Sequence, residues 1–297
     1  MTIVPMLADF AVRLALGLAI CLVLTSWRVV PLGFFRTQAL VVLGLLVLAG
    51  LDQARAGGPP SALWALITAA VMAYLSAVTW GLGLPRFGIM TAVVVLLLTA
   101  AWLGGASQSQ SPLFWVLSGA SRLSSGFLLG STLTAMLLGH HYLTAPAMSI
   151  ERLKRMIGLI ALALAVRCAL AGVGVWTSQQ GSADLFASTA DTQAGMFLAA
   201  RWGMGFVGTA IATYMTWKTA QIRSTQSATG ILYIAMIFVL FGELTAMILA
   251  SRAGIFVSAV RGWLRRAGPT RPARASKESR RERGVQCWID CRCPADR

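Results

Sequence analysis

The strongest constraint on this chain is a series of apolar runs, each close to the length of a membrane crossing. An α-helix needs about 20 apolar residues to traverse the hydrocarbon core. Eight stretches approach that length: 8–27, 37–51, 62–82, 87–103, 113–138, 156–176, 197–217 and 230–251. Turn-forming residues separate them, among them Pro31 and Gly33, Gly57-Gly58-Pro59-Pro60, Gly83-Leu84-Pro85, and the stretches 104–112 and 181–194. The second run is short, and its helix is expected to start nearer Pro31. Backbone polar groups have no water to bond in hydrocarbon, so segments of this kind fold as helices. The expected fold class is therefore all-α, an integral membrane bundle of about eight transmembrane helices occupying residues 1–256. No internal repeat is evident.

Composition supports the same class and excludes others. The chain is 57% hydrophobic and 12% charged, more apolar than a soluble domain of this length requires. The formal net charge of +15 draws much of its value from the arginines that follow Arg252. Residues 257–297 form a basic tail rich in Arg, Ser and Pro without an apolar pattern, which predicts disorder. Such a tail beside a membrane meets anionic lipid or water, so the expected partner is membrane lipid and not nucleic acid. Cys287, Cys291 and Cys293 in the tail match no standard zinc spacing and have no histidine nearby, so no metal site is expected. Residues 1–9 carry no Lys or Arg, and the first run reads as a retained helix rather than a signal peptide.

Loop charges predict an orientation. Arg28 and Arg36 flank the first loop, Arg86 lies in the third, Arg152, Lys154 and Arg155 in the fifth, and Lys218 and Arg223 in the seventh. The fourth loop has no charge, the sixth only Asp184 and Asp191, and Asp52 and Arg55 cancel in the second. By the positive-inside rule the odd loops face the cytoplasm of a bacterial-type inner membrane, and the N-terminus lies outside. The basic tail falls on the opposite side from that rule.

Charges inside the runs mark candidate sites, because an ionised side chain in the bilayer costs a few kcal/mol by insertion scales and usually faces the bundle interior. Arg122, Arg167 and Glu243 lie about 12–14 Å from the outer ends of their helices, with Arg201 and Arg13 shallower. Arg122 shares a helical face with Gly126, Gly130 and Thr134. Arg201 shares one with Gly205, Gly208 and Ala212, Arg167 with Ala163, Ala171 and Gly174, and Arg13 with Gly17 and Cys21. Faces of small residues pack against other helices, which turns these arginines inward. Glu243 is expected to pair with Arg167 or Arg201. The remaining positive charge calls for an anion, an electron-rich carbonyl or water. A quinone head group, haem propionates, a lipid phosphate or a carboxylate solute all meet that need. Shallow Arg13 and Arg201 can instead snorkel to lipid head groups.

His140 and His141, the only histidines, close the fifth run. Neighbouring helical residues point about 100° apart, so the pair cannot clamp one metal between them. Either is a candidate haem ligand or proton relay, and a plain interfacial role with Tyr142 as aromatic anchor is the alternative. No nucleophile elbow, zinc-protease helix or phosphate loop is present. Ser124, Ser125 and Ser131 read as interhelical hydrogen-bonding residues.

The stretches GHHYLTAP at 139–146, QSATGILY at 226–233 and Gly242-Glu243-Leu244 resemble an uncharacterised family of bacterial multi-spanning membrane proteins. Gly242-Glu243-Leu244 on the last run is also similar to the quinol-oxidising membrane-anchor subunits of dimethyl-sulfoxide and polysulfide reductases. That resemblance covers the last helices alone. It implies eight spans, electron exchange with quinol, and Glu243 as a buried acid. The functional expectation is a redox-associated membrane subunit. It binds quinone or haem b in a pocket of Arg122, Arg167, Arg201 and Glu243, and works with electron-transfer partner subunits. A permease for a small anionic solute is the rival, against which stand the missing repeat and the absence of a mid-membrane helix break. A structural or assembly protein without a ligand is the third reading.

Overall fold

A computed structural model describes residues 6–28, 30–105, 112–144, 150–180 and 192–267. All regular structure among them is helical: α1 (Met6–Leu24), α2 (Leu32–Arg55), α3 (Pro60–Gly81), α4 (Pro85–Gly105), α5 (Pro112–Thr144), α6 (Glu151–Gln180), α7 (Thr192–Ala200), a π-helical segment (Arg201–Gly208), α8 (Thr209–Gln221) and α9 (Thr225–Ala267). The eight apolar runs map onto α1 to α6, the rod formed by α7, the π segment and α8, and α9. Among the described residues six helices are long and apolar enough to cross a membrane: α1 to α4, Glu151–Val173 of α6 and Thr225–Ala250 of α9. The 33-residue α5 is outside that set because Ser, Gly, Thr and two histidines dilute its run. The α7–α8 rod is outside it because the π segment divides it.

The second helix begins directly after Pro31 and is longer than its apolar core suggests. Two hairpins close in the same way. Gly57 and Gly83 adopt left-handed φ values of 63° and 75°, and Gly58 and Leu84 donate back to the carbonyls of Gln53 and Thr79. This is the glycine-terminated helix end, which satisfies carbonyls the helix leaves open. Pro60 and Pro85 then start α3 and α4, where a missing N–H does no harm. At the end of α8, Arg223 takes the glycine's place with φ 59°.

Helix α1 is the hub. It packs against α2, α4 and α5, while α2 pairs with α3, α3 with α4, α5 with α6, and α6 with α8. Small residues let it sit there. Ala8, Ala11, Ala15 and Ala19 are all buried. Gly17 lies so close to α5 that a Cβ added to it would fall 1.8 Å from the carbonyl oxygen of Gly126. A Cβ on Gly130 would fall 2.0 Å from the carbonyl carbon of Gly17. Backbone touches backbone along this seam, the arrangement for which small residues are selected in membrane bundles.

The chain divides into two compact units, Met1–Leu249 and Ala250–Arg297. The boundary between 256 and 257 drawn from the sequence differs from this. In the second unit α9 runs as far as Ala267. The run Ile255-Phe256-Val257 and Ala259-Val260 extends the preceding helix without a proline, and the first proline is Pro269. Residues 268–297, with Cys287, Cys291 and Cys293, lie outside the described residues.

Candidate functional site

The intramembrane charges gather at the end of the first unit where α1 begins. That end is tied together by Asp52 near the close of α2, whose carboxylate accepts from the Ala8 N–H at 2.9 Å and so caps the start of α1. Alternation of the helices brings the end of α4, the first turns of α5, the latter half of α6 and the start of the π segment to the same end.

The core of the cluster is a buried ion pair between α6 and α9. Arg167 Nε and Nη2 donate to Glu243 Oε1 and Oε2, each at 2.8 Å. Arg167 is 3% exposed and Glu243 5%. The pairing is bidentate, the geometry in which guanidinium and carboxylate bind most strongly. Two serines of α5 complete it. The Ser125 hydroxyl donates to Glu243 Oε2 at 2.6 Å. Arg167 Nη1 donates to the Ser121 hydroxyl oxygen at 2.7 Å and to its carbonyl at 3.3 Å. Every guanidinium nitrogen of Arg167 and both oxygens of Glu243 thus have partners, the condition under which a buried pair offsets its desolvation. Of the two partners the sequence offered Glu243, Arg167 is the one that binds it.

The other arginines differ. Arg122 is half-buried and donates to the Leu103 carbonyl at 3.1 Å, tying α5 to the last turn of α4. Arg13 pairs with Asp9 four residues earlier on α1, a partner that sequence reading passed over because Asp9 lies at the edge of the first run. The spacing of four was the available signal. That pair is less complete, since buried Asp9 Oδ1 and Arg13 Nε have no hydrogen-bond partner. Arg201 opens the π segment. Its guanidinium lies 6.0 Å from the centroid of the Phe206 ring, and among the described residues it forms no ion pair. Arg13, Arg167 and Arg201 all interact electrostatically with Glu243. The cluster therefore holds Arg13, Arg122, Arg167 and Arg201 against two carboxylates, Asp9 and Glu243.

The expected pocket framed by Arg122, Arg167, Arg201 and Glu243 is thus occupied at its centre by the ion pair itself. A groove of about 630 Å³ lies between α6 and the π–α8 rod, and none of those four residues lines it. Its walls include Trp202, Phe206, Tyr214 and Trp217, and it passes Cys168, the neighbour of Arg167. The π segment borders it. Gly205 there abuts Gly242 of α9, and a Cβ on Gly205 would lie 2.8 Å from the Gly242 Cα. The Thr209 hydroxyl donates to the Met204 carbonyl at 3.3 Å, five residues back. Such wide turns recur at functional sites in helices.

The histidines stand apart, about 27 Å along α5 from Arg122. His140 is exposed, while His141 meets Phe34 edge to face at 5.4 Å. They diverge as helical geometry requires. His141 lies beyond the apolar run 113–138. Burial, then the neighbouring His140, hold its imidazole below the ordinary value of 6.5, which keeps it neutral near pH 7. Tyr142 is buried rather than an interfacial anchor, and burial raises its phenol above the usual value. Of the serines, Ser125 bridges helices, whereas Ser124 and Ser131 donate to carbonyls of their own helix, those of Ser121 and Leu128. Among the described residues no group of three or more His, Cys, Asp or Glu side chains is placed to hold a metal ion.

The fold and the cluster define a class: an all-helical, polytopic membrane protein with ionised side chains inside its bundle. Comparison with protein-family models, curated proteins and solved structures gave no match.

Proposed function

We propose that the chain is a redox-associated membrane subunit that binds a quinone at the edge of its arginine cluster and works beside an electron-transfer partner. The observation that carries this reading is the surplus of positive charge. Among the described residues, Arg13, Arg122, Arg167 and Arg201 stand against Asp9 and Glu243, with Asp52 at the same end engaged by the Ala8 N–H, and Arg201 forms no ion pair. A quinone head group supplies carbonyl oxygens that accept from a guanidinium, and its reduction places negative charge where the cluster stabilises it. Arg167 and Glu243 hold the helices together, and Arg201 is the residue left to meet the head group. Haem fits less well, because His140 and His141 are at the far end of α5 from the arginines. The resemblance of Gly242-Glu243-Leu244 to quinol-oxidising anchors agrees with this choice.

The test is quinone binding by the purified protein in lipid nanodiscs, together with a reduced-minus-oxidised visible spectrum. Saturable binding that weakens at least about tenfold, 1.4 kcal/mol, in Arg201→Leu is the expected result. A haem band would replace quinone by haem. Uptake of a small anion into proteoliposomes that depends on Arg201 would replace the redox reading by the permease. Neither binding nor uptake would leave a protein whose charges only position its helices.

A further inference from the structure

The structure points to a tail site as well as a head site. We infer that the groove between α6 and the π–α8 rod receives the isoprenoid chain of the quinone, which enters sideways from the lipid. This inference rests on the quinone reading and specifies the ligand as one with a long apolar tail.

Three observations combine. The first is shape. Gly158, Ala161 and Ala165 lie at helical spacing on one exposed face of α6 and form the shallow part of the groove floor, flanked by Ile157 and Leu164. The opposite wall carries Trp202, Phe206 and Trp217. Fifteen residues separate the two tryptophans, so the hollow runs about 22 Å along the rod, most of a hydrocarbon core of about 30 Å. A narrow trough of that length suits an extended chain.

The second is chemistry. The lining is apolar apart from Thr213, the Tyr214 phenol, the Cys168 thiol and the indole N–H groups of Trp202 and Trp217, and the Thr213 hydroxyl is already committed to the Thr209 carbonyl at 2.7 Å. A polar solute finds no array of donors or acceptors there, whereas a hydrocarbon chain gains contact with flat aromatic faces. The third is continuity with charge. Phe206 is shared: the Arg201 guanidinium lies 6.0 Å from its centroid, and Trp202 packs against it at 5.0 Å. A cation that forms no ion pair among the described residues thus stands at one end of an apolar trough. A molecule with an oxygen-bearing head and a long tail satisfies both features together.

The π segment accounts for the juxtaposition. In an unbroken α-helix, residues five apart lie on different faces. The wide turns of 201–208 bring Arg201 near Phe206, and in the same segment Gly205 meets Gly242 of α9.

The experiment compares a long-chain ubiquinone with a tail-less benzoquinone bearing the same head, titrated against full-length protein in nanodiscs. Two variants fill the trough from its exposed floor, Ala161→Phe and Ala165→Phe, and thermal unfolding verifies that each is folded. The long-chain quinone is expected to bind at least about tenfold more tightly than the tail-less one at equal concentration in the bilayer, and to lose that advantage in either variant, because the packing contacts that its tail makes in the trough are lost. The tail-less quinone is expected to bind wild type and variants alike, because Arg201 is untouched. Equal affinity for the two quinones, or variants that leave the long-chain affinity unchanged, overturns the groove and leaves the head site standing. Binding of neither quinone by wild type removes the quinone reading and this inference with it. A phospholipid that copurifies in the groove and resists displacement by the long-chain quinone overturns the choice of occupant.

Discussion

Two regions of the bundle handle the same problem, charge inside hydrocarbon, in opposite ways. Along α1 and α5 the backbones touch through Gly17, Gly126 and Gly130, and beside that seam Arg167 and Glu243 are sealed by Ser121 and Ser125 with each of their polar atoms engaged. Between α6 and the π–α8 rod, aromatic side chains line a trough of about 630 Å³, and Arg201 has an aromatic ring in place of a carboxylate. Close packing excludes anything but protein, so charge there must be neutralised from within. Where helices stand apart, a charge can wait for a ligand. Of four arginines with similar sequence contexts, packing makes one structural and leaves one available.

The first way to break this contrast is to force the seam open. Gly17→Leu places a branched side chain where even a Cβ meets the Gly126 carbonyl oxygen at 1.8 Å. Neither neighbour is a side chain that can rotate away, so the variant should lose well over the ~3 kcal/mol typical of overpacking. Size-exclusion profiles in mild detergent should show aggregate in place of the monodisperse species. A folded Gly17→Leu protein would mean that the seam is looser than described.

Next in size is the ion pair. Removing one partner leaves the other charged and buried, so Arg167→Leu and Glu243→Leu should each lower stability by about 3–5 kcal/mol. The double variant should recover a substantial part of that loss, because two apolar side chains replace two charges with no orphan between them. Reversible unfolding in mixed micelles measures the cycle. Additive losses would show that the residues act separately, against the geometry.

A smaller effect, of opposite sign, tests the turn from α8 into α9. Arg223 holds a left-handed φ of 59°, and Ser224 N–H donates to the Thr219 carbonyl at 3.2 Å. Gly57 and Gly83 do the same work at two other helix ends. Arg223→Gly should therefore stabilise the fold by about 1 kcal/mol, the strain an L-residue carries in that conformation. An unchanged or lower melting temperature would show that Arg223 contributes through its charge.

These contrasts also separate what the sequence could reveal from what it could not. Eight runs were legible because membrane crossing demands length and hydrophobicity locally. The small faces beside Arg13 and Arg122 were legible because glycine on a lipid face has no purpose, and Gly17, Gly126 and Gly130 do meet. The sequence narrowed the partner of Glu243 to Arg167 or Arg201, and the structure selects Arg167. What stayed hidden depends on lateral arrangement. In hydrocarbon both faces of a helix are apolar, so periodicity does not tell which faces meet. The closure of the pair by Ser121, the direction of Arg122 toward α4, and the trough along α6 all lie in that blind spot. The π segment was hidden for another reason. The run 197–217 reads as one helix, because its apolar residues continue without a proline through the segment that forms the π turns.

The smallest expected effect on stability is also the most discriminating. Arg201→Leu removes a cation that forms no ion pair among the described residues and that feels both the repulsion of Arg167 and the attraction of Glu243. Losing it discards no ion pair, while a leucine retains contact with Phe206. Stability should stay within about 0.5 kcal/mol of wild type, in contrast to several kcal/mol for Arg167→Leu. If both arginines were scaffold, the two variants would be destabilised alike, and the distinction between a sealed region and an open one would collapse. If Arg201 is held for a ligand, its variant should fold normally and fail only when quinone is offered. Stability and binding measured on one preparation therefore decide the matter, since a scaffold role lowers both and a head-group role lowers binding alone.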